Sequence, residues 1–129
     1  MSITKTIGSL LGEIVSYPTK SSYILGKGDT KVVIRAGGDC SDQDLSGLSL
    51  RGFNLRNTTF RGTNLSGVDL SGAHLEGADL TEANLTGTLL SGAHLENAIF
   101  DPETLSHAIF DSTPTGLSEE LISKIKEGV

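Results

Sequence analysis

The chain is 129 residues long and 36% hydrophobic, with ten basic and sixteen acidic side chains and a net charge of −6. That length holds one small domain, and sixteen glycines against two Tyr, four Phe and no Trp exclude a core built on bulky aromatics. A single cysteine, Cys40, excludes an internal disulfide framework and suits a reducing compartment, and no apolar run reaches the roughly 20 residues of a membrane span.

At the N-terminus, "MSITKTIGSLLGEIV" has its apolar run broken by Glu13 and no small-residue cleavage site after it, so no signal peptide is expected and the cytoplasm is the expected compartment. Ile3, Ile7, Leu10, Leu11, Ile14 and Val15 follow helical spacing. This predicts a helix, with Gly8, Gly12 and the β-branched residues working against it. "YILGKGDTKVVIRAGG" reads as a hairpin turning at "GKGD". Residues 1–37 are therefore expected to form a helix and hairpin cap.

From Gly38 the chain divides into fives: GDCSD QDLSG LSLRG FNLRN TTFRG TNLSG VDLSG AHLEG ADLTE ANLTG TLLSG AHLEN AIFDP ETLSH AIFDS. Leu or Phe fills fourteen of the fifteen third letters, the exception being Cys40, expected as a core residue without a redox role. A period of five fits neither the 3.6 of a helix nor the 2 of a flat strand. Each unit must be a short extended piece followed by a corner, and Gly at the fifth letter, as at Gly47, Gly72 and Gly92, permits the tight backbone that such a corner needs. Asn57 and Asn97 substitute for it. Alternation then turns the first and third letters inward and the second and fourth outward. The outward letters are polar almost throughout, Leu89, Ile99 and Ile109 excepted.

Units such as "ADLTE", "ANLTG", "VDLSG" and "TNLSG" follow an A-(D/N)-L-x-x pattern, and over residues 38–112 the chain resembles the pentapeptide repeat family. The resemblance implies an all-β solenoid, a right-handed quadrilateral β-helix with four units per coil, here somewhat under four coils. It explains why "LSGAHLE" occurs at residues 70–76 and again at 90–96, since twenty residues make one turn. The open ends of such a stack need covers. Over residues 113–129, "TPTGLSEELISKIKEGV" supplies one: Pro114 closes the repeats, Thr115 or Ser118 is the N-cap, Glu119 and Glu120 enter the first turn, and Leu117, Leu121, Ile122 and Ile125 share a face. A short capping helix is predicted at about 118–127.

The residues with chemistry come in two groups. His74 and His94 share an outward letter one coil apart, with Glu76 and Glu96 two residues on. These are zinc ligands in type, and a solvated ladder accounts for the same residues, so no metal and no cofactor are expected. Serines at the fourth letter lie on a convex surface without a pocket for a base and an oxyanion site, and no phosphate-binding glycine loop occurs. Catalysis is not expected.

Residues 1–61 hold eight basic and five acidic side chains, and residues 62–129 hold two and eleven. Arg51, Arg56 and Arg61 sit at fourth letters of consecutive units. Arg56 faces Glu76 one coil on and is expected to pair with it. Arg51 and Arg61 face Ser71 and Thr81 and are left to meet a partner. The chain is read as a non-catalytic interaction or assembly module, within the cytoplasm or a particle assembled there, with neither direct nucleic-acid nor membrane contact. Ile3, Ile7, Leu10, Leu11, Ile14, Val15, Arg51 and Arg61 are the candidate contact residues toward a protein or a second copy. The resemblance also implies an alternative, since some family members mimic B-DNA, bind gyrase and protect it from quinolones. Asp69, Glu76, Asp79, Glu82, Glu96, Asp101 and Asp111 would supply the acidic face, but the stub is too short unless it dimerises, and the arginines interrupt the field.

Overall fold

Pentads become the sides and corners of a square stack. In the computed structural model, which describes residues 5–9, 12–16 and 22–127, ten parallel bridges join second letters 20 residues apart, from Asp39 with Thr59 to Leu89 with Ile109. One coil is therefore four units. Each side is held from both neighbours: His74 N–H donates to Phe53 one coil back at 2.9 Å, and Leu75 N–H donates to His94 one coil on at 2.8 Å. The first-letter N–H closes each corner onto the preceding third-letter carbonyl, as from Ala78 to Leu75 at 2.9 Å.

The fifth letter takes a positive φ in every unit from Asp42 at 59° to Asn97 at 60°. That is the third position of a type II turn, which explains the glycines. Glu82 also holds this conformation, at φ 60°, without the tolerance of Gly or Asn.

The core is a column of third letters, Leu45, Leu50, Leu55, Phe60 and on to Leu95, flanked by first letters such as Val68, Ala73, Ala78 and Ala93, all buried. Three first letters are threonines, and each hydroxyl donates to a backbone carbonyl 23 residues back: Thr58 to Arg35, Thr63 to Cys40 and Thr88 to Leu65, at 2.7 to 2.9 Å. No polar group is stranded there, which is the condition for burying a hydroxyl. Cys40 is 1% exposed, and burial, with a smaller push from Asp39, raises its thiol to about 11. The thiol is protonated at neutral pH and therefore a poor nucleophile.

The Asp or Asn at the second letter has a structural task that alternation alone does not reveal. Its Oδ1 accepts the fourth-letter N–H two residues on, as from Ser46 to Asp44 at 3.0 Å, Ser66 to Asn64 at 3.1 Å and Thr81 to Asp79 at 2.9 Å. This local bond holds the approach to the corner, and a hydroxyl at the fourth letter adds a second donor, as from Ser46 to Asp44 at 2.6 Å.

A four-stranded antiparallel sheet in the order β1-β2-β3-β4 precedes the stack: β1 Lys5–Ser9, β2 Gly12–Ser16, β3 Ser22–Lys27 and β4 Thr30–Arg35. The β3-β4 hairpin turns at Gly28, φ 60°, within the expected "GKGD". The expected N-terminal helix is corrected to strands β1 and β2. β-Branched Thr6, Ile7, Ile14 and Val15 suit extended backbone, Gly8 and Gly12 weaken a helix, and the edge of β3 offers β2 a ladder in the register Val15 with Ile24. Tertiary pairing overrides the helical spacing. Ile3, Leu10 and Leu11 lie outside the described residues, and of Ile7, Ile14 and Val15 the backbone alone is described.

The hairpin covers the first coil. Leu25, Val32 and Ile34 are buried in the same core, Tyr23 stacks on Phe53 with ring centroids 3.9 Å apart, and Lys27 Nζ reaches Asp44 Oδ1 at 3.0 Å. The Ser46 hydroxyl first, then Lys27, hold the Asp44 carboxyl down at about 2, against 3.8 ordinarily. A carboxyl depressed in the fold lends stability that is complete above its unfolded pKa and is lost as pH falls through the folded one. Acidification from about pH 4 to about pH 2 is therefore expected to lower the melting temperature more steeply in the parent than in Asp44→Asn, which keeps the Oδ1 acceptor without the charge. Parallel acid profiles would show that the Lys27 clamp contributes nothing.

At the other end, Pro102 breaks the pattern. It stands at a fifth letter, where proline's fixed negative φ forbids the corner, and the chain enters one helical turn instead, α1 Pro102–Leu105, with Pro in the first turn. The unit "ETLSH", expected as a side, is thus corrected to a helical turn, although its third letter, Leu105, remains buried. The stack resumes with Leu89 bridged to Ile109, and the next bridge, His94 to Thr115, spans 21 residues. One extra residue is accommodated before buried Pro114. The helix α2, Glu119–Lys126, starts on the Ser118 cap, whose side chain accepts from Leu121 N–H, and carries the expected Glu119 and Glu120 in its first turn. It packs against α1 and buries Ile125 in the core, with Leu117 and Leu121 partly buried beside it. Among the described residues, no helix is long and apolar enough to cross a membrane.

Candidate functional site

The outward letters form ladders running along the stack, and each ladder sets equivalent side chains one coil apart. On one side, Asn54, His74, His94 and Thr115 follow one another. The rings of His74 and His94 stack with centroids 4.6 Å apart and planes within 7°. Nδ1 of His74 lies 3.3 Å from Glu76 Oε1 and 3.0 Å from an Arg56 guanidinium nitrogen, which also approaches Glu76 Oε1 at 3.5 Å. Nδ1 of His94 is 3.2 Å from the Thr115 hydroxyl.

Of the four expected members, His74, Glu76 and His94 are thus brought together, and they are less exposed than a flat ladder implies. The His74 side chain is 35% and that of Glu76 28% accessible. Oε2 of Glu76 and Oε2 of Glu96 are both buried without a hydrogen-bond partner. Burial pushes Glu76 up, but its own backbone N–H, His74 and Arg56 together outweigh that and hold it below the usual range. Thr115 does most to hold Glu96 down, against burial and the repulsion of Glu76. Two carboxylates thus stand one above the other in ionised form.

The arginines pair more fully than expected. Arg56 meets Glu76 as predicted, at 3.5 Å. Arg51 reaches Asp69 and Arg61 reaches Asp79, each at 3.6 Å, so each has an acid within reach where Ser71 and Thr81 were the expected neighbours. The guanidinium does not point straight across to the fourth letter 20 residues on. It slants to the second letter, 18 residues on, where an acid stands in both cases. That spacing is readable from the sequence once diagonal neighbours are considered. Both arginines stay exposed, at 69% and 53%.

The three apolar exceptions among the outward letters remain in solvent. Leu89 is 36%, Ile99 57% and Ile109 51% exposed, and Leu89 and Ile109 are bridge partners one coil apart. Leu89 and Ile109, but not Ile99, line an open groove of about 650 Å³ with Arg51, Ser71, Ser91 and Asp111. Sequence reading singles these residues out but does not bring them together with Arg51.

Residues 39–77 and 78–101 match the family model for pentapeptide repeats, in 8 copies. None of the curated proteins compared with the chain matches it. Among solved structures, it is similar to a pentapeptide repeat protein from the thylakoid lumen of Arabidopsis thaliana, with 24% identity over 72% of this chain and 77% of that one and a TM-score of 0.31. It is also similar to the pentapeptide repeat protein Rfr23 of the cyanobacterium Cyanothece 51142, with 27% identity over 67% and 69% of the two chains and a TM-score of 0.32.

Proposed function

Because the chain belongs, through residues 39–101, to the pentapeptide repeat family and folds as its right-handed quadrilateral β-helix, we propose that it is a non-catalytic interaction or assembly module working in the cytoplasm. The observation that carries this reading is the bridged pair Leu89 and Ile109, exposed at letters that, Ile99 apart, are polar elsewhere in the stack. Apolar side chains held outward on a rigid face mark a contact surface. The N-terminal sheet is the second contact element, because β1 is the terminal strand of the sheet and an open edge pairs readily with another chain.

The acids count against the DNA-mimic alternative. Asp69 and Asp111 lie on one side of the stack, Glu76 and Glu96 on another, and Asp79 and Asp101 on a third. Asp69, Glu76 and Asp79 are also each paired with an arginine. A continuous acidic face of duplex-like charge density does not follow from that distribution.

The test is solution mass at low and high salt for three chains: full length, residues 17–129, and Leu89→Ser with Ile109→Ser. Full-length protein is expected to assemble or to retain a co-purifying protein at both salt levels, since apolar contacts are not screened. The double variant should lose that association while melting as the parent does. If all three are monomers with unchanged co-purifying proteins, the module reading fails. Inhibition of gyrase supercoiling by such a monomer would install the mimic in its place.

A further inference from the structure

We propose that His74, Glu76, His94 and Glu96 form a binding site for a divalent transition-metal ion of zinc type on the outer face of the second and third coils. One ligand atom from each of His74, Glu76 and His94 lies within 4.8 Å of the others. A closed zinc site, with metal to nitrogen or oxygen distances of about 2.0–2.2 Å, needs only rotation of these half-exposed side chains. Glu96, two residues beyond His94 and near enough to feel both that ring and the Glu76 carboxylate, would complete four ligands on turning away from Thr115.

The unpaired oxygens point to the ligand. Oε2 of Glu76 and Oε2 of Glu96 have lost water and gained no donor, and an acceptor buried in that way destabilises the fold. Their carboxylates also repel each other. A cation between them removes both penalties at once, which a water molecule or a further acid would not. Two imidazoles beside two carboxylates select zinc, nickel or copper over magnesium and calcium, which prefer oxygen ligands alone.

Arg56 is the competing cation. Its guanidinium lies 3.0 Å from Nδ1 of His74 and 3.5 Å from Oε1 of Glu76, so it stands where the metal would bind. It also contacts Asn54 Oδ1 at 3.1 Å and retains that partner when displaced. Thr115 orients His94 from the other end, the kind of outer contact that fixes a ligand ring. The site thus joins the copied His-x-Glu motif to the segment that follows the repeats.

Tag-free protein titrated with Zn2+, Ni2+ and Mg2+ by calorimetry, with melting temperatures in parallel, tests the proposal. One Zn2+ or Ni2+ per chain is expected to bind in the micromolar range and raise the melting temperature, with Mg2+ inert. His74→Ala and His94→Ala should each weaken Zn2+ binding by at least about tenfold. His107→Ala, outside the cluster, should not. Arg56→Gln should tighten binding several-fold by removing a neighbouring positive charge. Metal-free melting shows that each outward-facing variant is folded. The proposal is overturned by an absence of saturation at millimolar Zn2+, by binding that survives both His74→Ala and His94→Ala, or by an Arg56→Gln variant that binds no tighter than the parent.

Discussion

Leu75→Asp is expected to abolish folding. Leu75 is fully buried at a third letter, with Leu55 and Leu95 at the equivalent positions one coil below and above. Removing the leucine costs about 3–5 kcal/mol through lost transfer and cavity terms. Burying a carboxyl without a partner adds several more, ionised or protonated. The total approaches the whole stability of a small domain, about 5–15 kcal/mol. Circular dichroism should show no cooperative melt, whereas Leu75→Ala should melt at a lower temperature but still cooperatively. A Leu75→Asp chain melting like its parent would mean that third letters do not face inward.

Gly116→Ala should detach the C-terminal cover from an otherwise intact stack. Gly116 has φ 84°, a conformation that costs an L-residue about 1–2 kcal/mol. An added Cβ would also fall onto the backbone N of Glu96 and 2.6 Å from its Cα, and backbone cannot turn aside as a side chain does. The strand segment must lift, losing the bonds of Thr115 N–H to Ala93 and Leu95 N–H to Thr115, both 2.9 Å. Strain and lost bonds together amount to about 3 kcal/mol, a fall in melting temperature of about 10 °C for a chain of this size. Limited proteolysis should then cleave between the stack and α2 before any cut within the coils. A variant within about 2 °C of the parent, and equally resistant, would show that the segment is not seated as described.

These two variants differ in how visible their cause is from sequence. Leu75 is legible because every unit writes the same rule, and the column it joins depends on period alone. Gly116 lies outside the repeat, and its constraint comes from Glu96, twenty residues earlier in the chain but in contact across one coil. The same division runs through the candidate site. The copied His-Glu pair placed its four members one above the other by arithmetic, whereas the contacts of His94 with Thr115 and His74 with Arg56, and the two unpaired Oε2 atoms, depend on side-chain reach and on an added residue near Pro114. Arg51 and Arg61 were assigned straight-across neighbours, and the slanted reach of a guanidinium gave them acids instead.

The sequence by itself determined the five-residue period, the inward leucines and a capping helix near residues 118–127, because each follows from a local pattern repeated or from a local capping signal. Its resemblance to the pentapeptide repeat family implied the four-sided stack with its twenty-residue coil, and the structure chose Ser118 over Thr115 as the cap. The tertiary structure alone decided that residues 5–9 and 12–16 are strands, since helical spacing and β-branched composition disagree there and the available edge of β3 breaks the tie. It alone decided that the Pro102 unit becomes a helical turn yet keeps Leu105 inside, because a forbidden corner can be bypassed only in a way that still fills the core. Local periodicity fixes which way a side chain points. Which neighbour it then meets is fixed by coils that are distant in sequence and adjacent in space.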